Sequence, residues 1–355
     1  MIKELQSKIK ESKYIDGALI ISSENRRYFT GFSSSDGYLL VSAEKAVFIT
    51  DSRYIEAAKN TVAECEVVLQ GTEISQIYDT FAEMNVHSVG IEASRMTVSD
   101  LSRFQSVLQN SEIDFSRELD GIINSLRMVK TADELKNIRA AQKIAEDALE
   151  NIFEFIKPGV TEKEIALQLD FYMLSHGADA LSFETIAVSG ANSSMPHGVP
   201  TDKKVENGDF VTMDFGAMVN GYHSDMTRTV AVGFVTPQQQ KVYETVLKAQ
   251  NTALSFIAPG VLCRDADKAA RDVIDHAGFG ECFGHSTGHG VGVEIHELPN
   301  LSPSSQMTLN IGNVVTVEPG IYIPGEFGVR IEDFAVITEN GCENLTSAPK
   351  ELIIL

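Results

Sequence analysis

Gly208-Asp209-Phe210-Val211-Thr212-Met213-Asp214-Phe215-Gly216 and Gly312-Asn313-Val314-Val315-Thr316-Val317-Glu318-Pro319-Gly320 follow one pattern. Each enters an apolar run through Gly-Asp or Gly-Asn and then reaches an acid. A second pair precedes them in the same order, Phe155-Ile156-Lys157-Pro158-Gly159-Val160 and Phe256-Ile257-Ala258-Pro259-Gly260-Val261. The offsets, 101 and 104 residues, are nearly equal, which points to a duplicated domain. Each half reads helix, strands, hairpin. Two such halves facing each other across a pseudo-two-fold axis would bring Asp214 and Glu318 in from opposite sides.

The segment Met213–Thr227 sharpens this expectation. Asn220-Gly221 is a strong signal for a two-residue type I′ hairpin turn. With that turn, Val219 faces Tyr222 and Gly216 faces Asp225. Alternation then puts Asp214 on the same face as Asp225, as a diagonal neighbour across a glycine. Like charges that close repel unless a cation or a proton sits between them. The second half repeats the device. Glu318 follows the apolar strand Asn313–Val317, and Glu332 lies in Gly328–Ile337, a further expected strand. A loop with Pro319-Gly320 and Pro324-Gly325 separates the two acids.

His285, His289 and His296 fall within twelve residues, spaced by Gly288, Gly290 and Gly292. Such a stretch is poor material for a core strand and suits backbone that must approach a ligand closely. Four carboxylates would be balanced by two divalent cations, with a neutral imidazole completing the set. Oxygen-rich ligands without cysteine favour Mn, Co, Zn or Fe over a thiolate zinc site, with Mn placed first. A two-metal site lowers the pKa of water and polarises a carbonyl, as amide hydrolysis requires.

Upstream, Thr131 and Glu134 form a capping box that opens a long helix. Its apolar period runs through Leu135, Ile138, Ala145, Leu149, Ile152 and Ile156 until Pro158-Gly159 stops it. Thr161 with Glu164, and Thr236-Pro237 with Gln239, open two more helices. Before them, Ala18–Ile21, Tyr38–Val41, Ala46–Ile49, Val67–Leu69 and Val89–Ile91 read as strands. Helical patterns begin near Asp51 and span Ile74–Met84 and Val98–Leu108, giving a separate α/β layer with no catalytic cluster. The boundary falls between residues 115 and 130, so the expected domains are 1–123 and 124–355.

The whole chain has 355 residues and a formal net charge of −21. That balance argues against nucleic acid and anionic membranes as partners. Cys65, Cys263, Cys282 and Cys342 are scattered without a CxxC, which fits a reduced cytoplasmic setting. The N-terminus reads as an amphipathic helix and not as a signal peptide. No apolar run approaches the ~20 residues that span a bilayer.

Met195-Pro196-His197-Gly198, Asp214, Asp225, the His285–His296 stretch, Glu318-Pro319-Gly320 and Arg330-Ile331-Glu332-Asp333 resemble, in order and spacing, the pita-bread metallopeptidases. This family (peptidase M24) includes Xaa-Pro dipeptidase, or prolidase, as well as aminopeptidase P and methionine aminopeptidase. The two-domain layout extends the resemblance to the prolidase and aminopeptidase P branch. It implies an α+β fold, with a C-terminal pita-bread domain built on a pseudo-two-fold duplication. A smaller α/β creatinase-type domain would precede it. It also implies Asp214, Asp225, His289, Glu318 and Glu332 as ligands of two divalent ions, with Asp225 and Glu332 bridging. Glu318 would guide a proton, His197 and His296 would bind the substrate and its tetrahedral intermediate, and His285 and Arg330 would support the ligands. The implied substrate is a proline-containing peptide and the implied assembly a homodimer.

One position departs from a common dipeptidase pattern. Asn300 follows His296-Glu297-Leu298-Pro299 where some prolidases place an arginine able to hold a free carboxylate. A neutral amide lacks that bidentate grip. This moves the expectation to an aminopeptidase that removes an N-terminal residue before proline, with Xaa-Pro dipeptidase as the alternative. Two other classes compete. Gly284-His285-Ser286-Thr287-Gly288 fits the G-x-S-x-G of serine hydrolases, with Ser286 as nucleophile, but the glycines that follow do not suit a helix. A non-catalytic binding protein on the same fold is the other, and such a protein would be expected to have lost ligands.

Overall fold

Glycines in the left-handed region set the frame of the C-terminal part of the chain. Gly159 (φ 96°) and Gly260 (φ 86°) each follow a proline at a helix exit, and Gly208 (φ 93°) and Gly312 (φ 86°) each lead into a strand. Their hydrogen bonds repeat too. Gly159 N donates to Val205 O and Gly260 N to Leu309 O, both at 2.9 Å. Gly208 N donates to Val232 O and Gly312 N to Ile337 O, at 2.7 and 2.9 Å. Bridges Thr161–Lys204 and Leu262–Thr308 follow in register. A side chain other than glycine is strained at such φ values, so the repeated residues mark a repeated backbone. The duplication is structural.

The computed structural model describes every residue except Glu73, and the chain forms two compact units, Met1–Arg127 and Met128–Leu355. The first carries β1 (Gly17–Ile20), β2 (Tyr38–Ser42), β3 (Ala46–Thr50), β4 (Glu66–Leu69), β5 (Ser88–Ile91) and β6 (Glu112–Asp114) in one mixed sheet. The strand order is β4-β3-β2-β1-β5-β6. Helices α1 (Ile2–Glu11), α2 (Ser23–Thr30), α3 (Ile55–Thr61), α4 (Ser75–Glu83), α5 (Val98–Val107) and α6 (Glu118–Met128) alternate with the strands except at the β2–β3 hairpin. Leu19, Leu40, Ile49, Phe81, Val89 and Phe104 form part of its buried core.

The second unit begins with α7 (Ala132–Ile152), opened by the Thr131/Glu134 capping box, and α8 (Glu162–Ser175), opened by Thr161/Glu164. Helix α7 ends at Ile152, short of Pro158, where Phe155 N donates to Ile152 O three residues back at 3.0 Å, a tighter turn than the helix's own. Then come β7 (Ala180–Leu181), β8 (Ile186–Ser189), β9 (Phe210–Phe215), β10 (Ala217–Val219), β11 (Tyr222–His223) and β12 (Met226–Ala231). Helices α9 (Pro237–Phe256) and α10 (Cys263–His276) open the second half. Strands β13 (Gly288–Gly290), β14 (Glu297–Leu301), β15 (Val314–Val317), β16 (Gly320–Ile323), β17 (Phe327–Arg330), β18 (Asp333–Thr338) and β19 (Gly341–Asn344) complete it. Strand β9 pairs with β12 as β15 pairs with β18. Helices α7 and α8 pack their apolar faces on the first pair through Ala145, Leu149, Leu169, Met213 and Val230. Helices α9 and α10 do the same on the second through Val246, Ala249, Ala270, Val315 and Ala335. Burial of the larger of these, Leu, Met and Val, contributes about 1.5–3 kcal/mol each, so each half supplies its own core. Among the described residues no helix is long and apolar enough to cross a membrane.

Two expectations need correction. Gly288–Gly290 does form a strand, between β14 and β15. Its glycines serve close backbone approach: a Cβ on Gly288 would lie 2.0 Å from Thr316 O, and one on Gly290 would lie 2.4 Å from Leu298 O. The run Gly328–Ile337 is not one strand. It breaks at Ile331-Glu332, where Glu332 N leaves the ladder and donates to Thr227 O in the other half.

Candidate metal centre

Asn220 and Gly221 have φ values of 47° and 73°, the two positive values a type I′ turn requires. The turn sets Val219 opposite Tyr222 and Met218 opposite His223. The register carries through to Phe215–Met226 and Asp214–Thr227, with Ser224 N donating to Ala217 O between them. Gly216 therefore lies opposite Asp225. Asp214, Asp225 and Thr227 share one face, and that face meets the second half.

A cavity of about 610 Å³ lies there. Asp214, Asp225, His289, Glu318 and Glu332 line it, as do His197, His285, His296 and Arg330. The structure thus brings every sequence-derived candidate to one place. Asn300 and Ser286 line it as well. Ser286 precedes the short strand β13 and not a helix, so the strand–turn–helix setting of a serine nucleophile is missing.

His289 stands at the centre. Its Nε2 is 3.5 Å from Asp225 Oδ2 and 3.4 Å from Glu318 Oε1. Its Nδ1 donates to Gly290 O at 3.0 Å, which leaves the Nε2 lone pair directed at the carboxylates. One ligand atom each from Asp225, His289 and Glu332 lie within 4.8 Å of one another. Asp214 is held differently: Arg330 Nη2 donates to its Oδ2 at 2.6 Å. Its Oδ1 is buried with no hydrogen-bond partner. A buried carboxylate oxygen left that way is costly unless something else binds it.

Electrostatics point the same way. Burial, then repulsion from Asp214 and Glu318, pushes Asp225 well above the ordinary carboxylate range. Burial with Asp225, Glu318 and Asp214 does the same to Glu332, and burial and Asp214 push Glu318 up to about 8. Burial, and then His296 nearby, lowers His289 to about 4, so its imidazole is neutral. Four crowded carboxylates, a neutral imidazole and an orphaned oxygen fit divalent cations.

A pH dependence follows for protein stripped of metal. Raised carboxyl pKa values mean the folded state keeps protons that the unfolded chain releases. That stabilisation is complete below about pH 4.5 and is lost as the pH rises through about 8. The melting temperature of chelator-treated protein is therefore expected to fall between about pH 5 and 9, and added Mn²⁺ should raise it most at the alkaline end. A melting temperature flat across that range would contradict the repulsive cluster.

Some contacts at the centre lie beyond the sequence reading. Thr227 Oγ1 donates to Glu332 Oε2 at 2.7 Å and accepts from Arg330 Nε at 3.0 Å. Strand alternation placed Thr227 beside Asp225 and could have flagged it. Tyr322 OH lies 2.9 Å from both His285 Nε2 and Arg330 Nη1, and no local pattern announces it. Lys130 and Glu297 form a buried ion pair at 2.9 Å, next along the chain from His296.

Residues 136–339 match the description "Metallopeptidase family M24", and residues 1–129 match "Creatinase/Prolidase N-terminal domain". A structure described as an Xaa-Pro dipeptidase from Bacillus anthracis is 42% identical, with a TM-score of 0.95 over 100% of this chain and 99% of that one. One described as an X-Pro aminopeptidase from Thermotoga maritima is 37% identical, with a TM-score of 0.89 over 96% and 98%. The Xaa-Pro dipeptidase of Pyrococcus furiosus is 38% identical over 98% of this chain and 97% of its own.

Proposed function

The chain belongs to metallopeptidase family M24, and from that premise we propose that it is an Xaa-Pro dipeptidase. The observation that carries the hydrolytic part is the convergence of Asp225, His289, Glu318 and Glu332 beside the orphaned Asp214 oxygen. The dipeptide part is supported by the likeness to the Bacillus anthracis and Pyrococcus furiosus proteins over nearly the whole chain. A cavity of about 610 Å³ is of the size that takes a small ligand.

In this reading Asp214, Asp225, His289, Glu318 and Glu332 would hold two divalent ions, Mn first among the candidates. When bound, the ions supply Lewis acidity and a lowered pKa for water. Glu318 takes a proton from the attacking water and delivers it to the proline nitrogen as the C–N bond breaks. His197 and His296 line the cavity and are the donors for the substrate oxygen as it gains charge. Arg330 holds Asp214 Oδ2, which leaves Oδ1 without a hydrogen-bond partner and would keep it available to an ion. His285, tied through Tyr322 to the same arginine, keeps that support in place.

Asn300 favours a second reading, an Xaa-Pro aminopeptidase acting on longer peptides. Its neutral amide lines the cavity where an arginine would grip a dipeptide carboxylate. The two readings separate on kcat/KM for Xaa-Pro against Xaa-Pro-Xaa with metal-loaded protein. Dipeptides are expected to be preferred by about tenfold or more, roughly 1.4 kcal/mol. Tripeptides cut faster by the same factor would install the aminopeptidase instead. Activity that survives complete removal of metal would overturn both.

A further inference from the structure

We infer that Glu162 is a positioning residue for catalysis, a buried carboxylate that presets the loop presenting His197. The inference rests on the role proposed for His197 above.

Glu162 is the first residue of α8 and is fully buried. Among the described residues no lysine or arginine pairs with it; Lys203 of the same loop bonds Ser189 Oγ, Lys204 O and Asp209 Oδ2. Its charge is instead met by neutral donors from one loop. Oε1 accepts from Ser189 N at 2.7 Å, Ser189 Oγ at 3.0 Å and Asn192 Nδ2 at 3.1 Å. Oε2 accepts from Thr201 Oγ1 at 2.7 Å, Thr201 N at 3.0 Å and Asn192 Nδ2 at 3.2 Å. Ser189 and Thr201 are the two ends of the segment that carries Pro196 and His197. A single carboxylate therefore closes the loop at its base, and the helix N-terminus favours a negative charge there.

The duplication shows that the fold itself does not call for an acid at this position. Aligning Gly159 with Gly260 and Thr161 with Leu262 sets Glu162 against Cys263, the first residue of α10, which is also fully buried. The second half starts its equivalent helix with an apolar thiol. The chain that follows α10 lines the cavity as well, through His289 and His296, with no carboxylate at the start of its helix. The loop has other ties, since Gly328 N donates to Ser193 Oγ at 2.9 Å and Arg330 Nη1 to Pro196 O at 3.2 Å. Neither of these fixes both ends at once.

The test is a double-mutant cycle on the metal-loaded full chain. Glu162→Gln keeps size and shape but turns one acceptor into a donor. The backbone N–H of Ser189 or of Thr201 then loses its partner, because a backbone donor cannot reorient as the hydroxyls can. The expected result is a loss of about tenfold or more in kcat/KM, of the kind that small misplacements of a binding group cause. Metal content should equal the parent's. In a His197→Ala background the same change should cost less than about twofold, because the residue acts through His197. If Glu162→Gln does not fold, Asn192→Ala removes both Nδ2 bonds to Glu162 at a half-buried site. It should show a loss of about threefold with the same collapse. An equal loss in both backgrounds, or a loss of metal, would overturn the inference while leaving His197's role standing. His197→Ala with parental kcat/KM would instead remove His197 from the reaction, and the positioning role with it.

Discussion

Replacing Asp225 by Asn is expected to lower kcat/KM by at least about a thousandfold, and the bound metal to one ion or fewer per chain. Asp225 is 4% exposed, and its Oδ2 lies 3.5 Å from His289 Nε2. The asparagine fits the same space, so packing is preserved and only the charge is removed. Thermal stability gives a second readout whose sign is unusual. In metal-free protein the Asp225 carboxylate is opposed by burial and by Asp214 and Glu318, so removing its charge relieves repulsion. The metal-free variant should therefore melt higher than the metal-free parent, whereas most buried substitutions lower the melting temperature. With metal added, the order should reverse, because ions that bind only the folded state stabilise the parent more. Elemental analysis and melting curves with and without Mn²⁺ measure both effects. Undiminished metal content together with parental activity would take Asp225 out of the centre.

The Asp214–Asp225 pairing was legible in the sequence because it depends on local rules. A two-residue turn sets a hairpin register, and strand alternation turns register into a shared face. The duplication was legible because the residues that repeat, Pro-Gly at a helix exit and Gly before a strand, are ones the backbone geometry demands. What depends on distant partners could not be read in this way. The break of the strand at Glu332 comes from its bond to Thr227, about a hundred residues earlier. Strand β13 exists because β14 and β15 flank glycines that alone would prefer no strand. Likewise nothing near Glu162 predicts that its donors sit at positions 189, 192 and 201. Asn300 is a different lesson. One neutral residue in a motif moved the expected substrate to longer peptides, whereas the proteins described as Xaa-Pro dipeptidases that match nearly the whole chain support the dipeptide reading proposed above. A contact in a cavity can be supplied from several positions, so one substitution weighs less than the whole.

Arg330→Lys is expected to reduce kcat/KM by about a hundredfold, and to weaken metal binding by about tenfold without abolishing it. The arginine is 3% exposed and uses each of its three nitrogens differently. Nη2 holds Asp214 Oδ2, Nη1 reaches Tyr322 OH and Pro196 O, and Nε donates to Thr227 Oγ1, which in turn holds Glu332. A lysine keeps the charge but has one nitrogen, so it cannot meet the carboxylate, the His197 loop and the Thr227 hydroxyl together. If charge alone mattered, the lysine variant would retain parental activity, and that outcome would defeat the argument. Arg330→Met removes the charge as well. Breaking a buried pair in this way typically costs about 3–5 kcal/mol, so metal-free Arg330→Met should lose far more stability than Arg330→Lys. Added metal should restore part of it, because divalent ions then balance carboxylates that the arginine balanced before. The separation of the two variants distinguishes a guanidinium that is needed for its shape from one needed only for its charge. The four contacts it makes in this centre favour shape.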